Sequence, residues 1–372
     1  MRSFLLFSML IVSTGCGLLP IQDERKDEAF LQREAEQSQM RAAEEILARA
    51  QFDQALVKFQ EFQKKYPQST FFQAARLGEA QALEGQGHYE EAAVLYRDVY
   101  LANINYQPNI AVIALYRSSF CYEAQGDDLK TLTALLDANK LGKHLPPEVA
   151  WAEIPARLAS IYGRSGADRE ANRYLEMADK GLQKVRQEKG RDLKTDWLAK
   201  TYFQMGSVST NQISAETFAN YVAGQRWVQV YLIRALQQND PVWSVRAQNK
   251  LEETYRDLYA QVELQKTSRE ALANLGGAFF DLMDQAELFR PVWGREANAY
   301  EKKFFSNLAE TRKKTESLLY GSESSMGLTE ESKLLNSIKR PGRVKVDSLL
   351  PEEKKSSIPL PSKVLTTEDP NL

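Results

Sequence analysis

"LASIYGRSG", residues Leu158–Gly166, and "LAKTYFQMG", residues Leu198–Gly206, share Leu, Ala, Tyr and Gly at an offset of 40 residues. Self-similarity at a fixed period is the signature of a repeat architecture. One step back, "SSFCYEAQG" (Ser118–Gly126) keeps the Tyr and the Gly, with Ser119 in the Ala place. Another step back, "EAQALEGQG" (Glu79–Gly87) keeps Ala80 and Gly87, with Leu83 in the Tyr place. Gly87, Gly126, Gly166 and Gly206 therefore follow one another at 39, 40 and 40 residues, and Ala50 takes the glycine place of a first unit.

Each glycine has a physical reason. The segment before it places Ala80 and Leu83, or their equivalents, on one helical face at i, i+3. A residue without Cβ then ends that helix most cheaply in a left-handed cap. A second helix follows. In "GHYEEAAVLYRDV" the apolar set is Tyr89, Ala92, Tyr96 and Val99, and in "GADREANRYLEMA" it is Ala171, Leu175 and Ala178. In "AQFDQALVKFQEFQKKYP" it is Ala55, Phe59 and Phe62, closed by Pro67. The small residue in each set lets two helix backbones approach.

The spacing Phe52-Ala55-Phe59-Pro67, and again Tyr89-Ala92-Tyr96, resembles the tetratricopeptide repeat. The resemblance implies an all-α, helical-repeat solenoid of about five repeats over residues 29–210. The period of 39 to 40, Thr131 in the Ala place of the third unit and the fifth unit's unplaced second helix depart from that family's pattern. "ALVKFQEFQKKYPQSTFFQAARLGEAQALEGQGHYEEAAVLY" (Ala55–Tyr96) is similar to the tandem repeats of BamD-type outer-membrane assembly lipoproteins and of YbgF-type periplasmic proteins.

The N-terminus supplies a second signal. Met1-Arg2-Ser3 carries one positive charge, Phe4–Val12 is apolar except for Ser8, and Ser13, Thr14 and Gly15 are small. This is the layout of a secretory signal peptide, residues 1–15. The run is too short to cross a bilayer, which takes about 20 residues. Ser13 to Cys16 resembles the lipobox of bacterial lipoproteins, with Ser13 in place of the usual Leu. That resemblance implies cleavage after Gly15, acyl chains such as palmitate on Cys16, and a lipidated polar tether over residues 16–28. Gly17 after the cysteine leans toward the periplasmic side of the outer membrane.

Composition excludes several classes. With 48 basic and 50 acidic residues the net charge is −2, so no strong field argues for nucleic acid. Cys121 is the only cysteine besides Cys16, and His88 and His144 are the only histidines. Such a set is too small for a His/Cys metal site, and no metal or cofactor is expected. No Gly-rich phosphate loop, G-x-S-x-G elbow or H-E-x-x-H occurs. Carboxylate pairs such as Glu90-Glu91 are expected on exposed helix faces, whereas a catalytic acid needs a concave apolar setting. The chain is accordingly read as no enzyme, with no small-molecule substrate.

Beyond the repeats, residues 211–320 read as further helical hairpins that cap or extend the solenoid, with Asp240-Pro241 and Arg290-Pro291 as breaks. Leu251, Tyr255, Leu258 and Val262 form one stripe. Lys302, Lys303, Arg312, Lys313 and Lys314, interleaved with acids, read as a solvated face. Residues 321–372 hold no aromatic, five of the thirteen prolines and nine serines, which predicts a disordered tail.

A stack of helix pairs forms a solenoid with a concave face, and the resemblance to the tetratricopeptide repeat implies that the first helix of each repeat lines it. Counting back from the glycines puts Leu77, Gln81, Tyr116, Phe120, Glu123, Ser160, Arg164, Lys200 and Phe203 there as a partner-binding groove. Tyr116, Phe120 and Phe203 either anchor a peptide or partner helix or are covered by a following helix, and both readings stand on the sequence. The expected function is that of a lipid-anchored periplasmic scaffold for envelope proteins or peptides, with a BamD-like role in outer-membrane protein assembly. The alternatives are a YbgF-like adaptor for cell-wall or division machinery and, more remotely, a peptidoglycan-acting enzyme.

Overall fold

The computed structural model describes residues 21–208, 217–291 and 295–320. The signal peptide, Cys16 and the tail over 321–372 lie outside the described residues. Within them the chain is an all-α helical repeat of thirteen α-helices with no strand. It divides into two compact units, one ending at Ile154 and the other beginning at Pro155.

Unit 1 contains α1 (Ile21–Ala48), α2 (Phe52–Lys65), α3 (Phe72–Gly85), α4 (Tyr89–Asn103), α5 (Pro108–Ala124) and α6 (Asp128–Lys140). A 3₁₀ turn (Gly142–His144) and a π-helical turn (Val149–Glu153) follow. Successive helices pack as pairs, and α3 also touches both α1 and α5, so the first helices of the three pairs share one layer. The pair α2–α3 shows why small residues matter: a Cβ on Gly78 would run into the Phe59 ring. Ala55, Phe59, Phe62, Ala75 and Ala82 fill this seam, and Ala80, Leu83, Ala92, Tyr96, Val99, Ala114 and Cys121 fill the next. Thr131, in the place of the repeat alanine, is buried too, and its hydroxyl donates to the Asp127 carbonyl at 2.8 Å.

The turn between paired helices is the same each time. Gly87 (φ +83°) and Gly126 (φ +73°) are left-handed. The Gly87 N–H donates to the Glu84 carbonyl and the His88 N–H to the Leu83 carbonyl; Gly126 and Asp127 do likewise to Glu123 and Tyr122. These two bonds define the Schellman motif. Ala50 makes the same turn with φ +57°, its N–H bonded to the Leu47 carbonyl and that of Gln51 to Ile46. The assignment of Ala50 to the glycine place therefore holds, at the cost of a Cβ in a left-handed residue.

Unit 2 contains α7 (Ile154–Arg164), α8 (Asp168–Lys189), α9 (Thr195–Gly206), α10 (Phe218–Gln237), α11 (Trp243–Leu264), α12 (Arg269–Glu287) and α13 (Ala299–Tyr320). Gly166 (φ +76°) repeats the turn between α7 and α8. Gly206 does not, which corrects the expected fourth left-handed cap. Gly206 is itself the last residue of α9, Ser207 follows at φ −94°, and a Cβ on Gly206 would strike Leu232 of α10. That glycine serves helix approach rather than chain reversal. The later helices gather about α10, which packs on α9, α11, α12 and α13. The stripe Leu251, Tyr255, Leu258 and Val262 is buried as expected. Helix α13 opens with a capping box: Glu301 N–H donates to Asn298 Oδ1 and Asn298 N–H to Glu301 Oε2, each at 3.0 Å.

The division into units falls within the expected repeat region of 29–210 rather than at its end. Residues 21–28, read as the end of a polar tether, are the first two turns of α1. Gln, Glu, Arg and Lys are good helix formers, and the helix they open continues directly into a packed stripe.

Candidate protein-binding surface

The candidate surface of unit 1 is the layer made by α1, α3 and α5. A three-residue polar cluster ties α3 and α5 of this layer to α4. Arg117 on α5 donates from Nε to Glu84 Oε2 (3.0 Å) and Tyr96 Oη (2.9 Å), and from Nη2 to Glu84 Oε1 (3.0 Å). The Tyr96 hydroxyl donates to Glu84 Oε2 at 2.6 Å. Burial drives the Tyr96 pKa well above its ordinary value; Arg117 opposes the rise and Glu84 adds to it. Burial works against the Arg117 charge, but Tyr96 and Glu84 outweigh it and hold the guanidinium protonated. The cluster joins α3, α4 and α5 through charge-assisted bonds, the strong kind. Sequence reading missed it, because Glu84 and Arg117 look like ordinary surface residues of two separate helices.

Beside it lies Cys121, fully buried and unpaired in any disulfide. Burial pushes its thiol up to about 12, with the Glu84 charge adding to the rise. A thiol so protonated is no nucleophile at neutral pH.

Leu77 is half-buried and packs on the apolar cluster beneath α3 and α5. Gln81 and Glu123 are half-buried. Tyr116 is only 6% exposed and meets half-buried Phe120 edge-on at 5.2 Å between ring centres. Tyr116 is thus buried rather than exposed. Within unit 2, Arg164 is exposed at the end of α7 and donates from Nη1 to Ser160 Oγ at 3.2 Å. Ser160 itself is buried. Lys200 is half-buried, and half-buried Phe203 packs on Trp243 of α11, ring centres 5.4 Å apart. The structure thus brings Tyr116 and Phe120 together and sets Phe203 against a later helix.

Trp227 on α10 was not singled out by sequence, yet it is 62% exposed. Its neighbours on that face, Ala223 and Gly224, are exposed too, and nothing stands within 4 Å of a Cβ at Gly224. The helical spacing of α10 did not distinguish it from a core tryptophan.

Among the described residues no group of three His, Cys, Asp or Glu side chains is placed to hold a metal. Glu90, Glu91 and His88 are exposed, and His144 reaches Asn109 Oδ1 at 3.1 Å through Nδ1. A shallow depression lined by Arg290, Arg295, Lys302 and Phe305 has each cation paired, with Glu287, Glu301 and Glu296 respectively. Three further α13 cations are paired too: Lys303 with Glu252, Arg312 with Asp284 and Lys314 with Glu310. No described helix is long and apolar enough to cross a membrane.

No protein-family profile matches the chain, and no curated protein matches it. Among solved structures, the complex of the TPR2AB domain of yeast Sti1 with pHSP90 is similar at 15% identity. The match covers 77% of this chain and 98% of that one, with a TM-score of 0.30. The repeat fold rests on the turns and helix pairs described above.

Proposed function

We propose that this chain is a lipid-anchored scaffold on the periplasmic side of the outer membrane, where it binds other envelope proteins in a BamD-like assembly role. The observation that carries the scaffold is the recurrence of one turn at Ala50, Gly87, Gly126 and Gly166, each joining a pair of helices. Stacked helix pairs present long side-chain surfaces suited to peptides and partner helices. The anchor is supported by the lipobox-like stretch ending at Cys16. Leu77, Gln81, Phe120 and Glu123 in unit 1, and Arg164, Lys200 and Phe203 in unit 2, are the side chains proposed to meet partners, with Tyr116 buttressing Phe120.

Two experiments test this. Tagged protein drawn from detergent-solubilised envelopes should bring down an outer-membrane barrel protein. Recovery of only cell-wall or cytoplasmic-membrane proteins would overturn the assembly role in favour of the YbgF-like reading. Cys16→Ser should leave the protein unprocessed or free of membranes; correct cleavage with retained membrane binding would refute the anchor.

A further inference from the structure

Helix α1 is twice as long as the helix it pairs with: 28 residues against 14 in α2. At 1.5 Å per residue these are about 42 and 21 Å. Among the described side chains of α1, packing begins at Glu36 and continues through Met40 and Ala43. Residues 28–35 are exposed on every side. The point where packing begins is pinned. The Ser69 hydroxyl donates to Glu36 Oε2 at 2.7 Å, Gln32 Nε2 to Glu36 Oε1 at 3.0 Å, and Gln39 Nε2 to the Tyr66 hydroxyl at 3.0 Å.

The geometry points to a spacer: residues 21–35 form a helical strut that holds unit 1 a set distance off a lipid surface. The inference rests on the lipid-anchor reading of Cys16. Fifteen residues of helix span about 22 Å. The five steps from Cys16 to Ile21 add at most about 18 Å at full extension. The strut belongs in water. Residues 23–34 hold five acidic and three basic side chains, so entering the hydrocarbon is prohibitive. It is equally unsuited to lying flat. An interfacial helix needs one broad apolar face and a basic one. Here Phe30 and Leu31 are both 61% exposed, and as sequence neighbours they point about 100° apart around the helix. The acidic excess is repelled by an anionic leaflet.

The test uses the full acylated chain, purified from membranes and bound to phosphatidylethanolamine/phosphatidylglycerol vesicles that carry an acceptor dye on the headgroups. A donor dye is attached at exposed Asn105→Cys; buried Cys121 stays unlabelled. Deleting Asp23–Ala29 removes two turns without rotating the helix face, and should bring the donor about 10 Å nearer the acceptor plane. Duplicating the same seven residues should move it about 10 Å away. Unchanged thermal melting of both variants checks that unit 1 is intact. A donor that stays put in both, with the protein still bound, would overturn the strut. Failure of the unaltered chain to bind vesicles would overturn the anchor reading instead.

Discussion

In unit 1, α1, α3 and α5 each end in the same two backbone bonds, made around Ala50, Gly87 and Gly126. In the second unit α10 to α13 are tied by side chains across long stretches of sequence. The Tyr255 hydroxyl donates to Gln229 Oε1 at 2.9 Å. Gln229 Nε2 in turn donates to the Leu282 carbonyl (3.2 Å) and Gln285 Oε1 (3.0 Å). Asn298 Nδ2 closes on the Leu236 carbonyl at 2.8 Å. The first design repeats a local element, since each turn is complete within six residues, although side chains such as Arg117 and Glu84 still tie helices 33 residues apart. The second fixes one central helix by partners some 26 to 62 residues away. Locality makes a fold legible and tolerant; long-range ties make it specific, because a buried amide left without its partner costs about 1–3 kcal/mol.

The sharpest break in unit 1 is Phe59→Ala. The ring is fully buried against Gly78, and its loss should cost about 3–5 kcal/mol, read as a lowered urea midpoint of the unit 1 transition. Should the midpoint barely move, the seam between α2 and α3 is not where unit 1 gets its stability. Tyr255→Phe keeps the ring and removes only the hydroxyl that Gln229 accepts. We expect a loss of about 1–3 kcal/mol by the same measurement on unit 2. An effect no larger than that of an exposed Tyr106→Phe control would show that the buried network does not hold α10. The smallest effects distinguish turns that differ by one methyl. Gly126→Ala should lose about 1–2 kcal/mol, because its Cβ meets no atom and only the left-handed backbone objects. Ala50→Gly should gain up to about 1 kcal/mol for the converse reason, measured as a rise in Tm. If both changes were neutral, the turns would not constrain the repeats.

The same contrast explains what could be read from the sequence. The turns at Gly87, Gly126 and Gly166 were legible because a left-handed cap selects glycine and a fixed period repeats the selection. Ala50 was found only through register, since alanine carries no turn signal of its own. Gly206 kept the period but not the conformation: Leu232 selects a glycine there for room, and the two demands look identical in one letter. The groove positions were placed by counting, which locates a helix face but not what a later helix does to it. Hence Tyr116 proved covered and Phe203 leans on Trp243, while exposed Trp227 was passed over. The cluster of Glu84, Tyr96 and Arg117 was illegible, as each residue is unremarkable alone and they meet only when three helices stack.

The backbone turn also bears on how such a chain grows. A Schellman turn needs one left-handed residue and nothing from elsewhere in the molecule. A duplicated stretch of about forty residues therefore carries its own reversal, its own helix pair and a face for the next pair. Copy number in the repeats can change in whole steps while every existing interface between repeats but one is kept. An insertion among α10 to α13 has no such freedom, because Gln229 must find all its partners again.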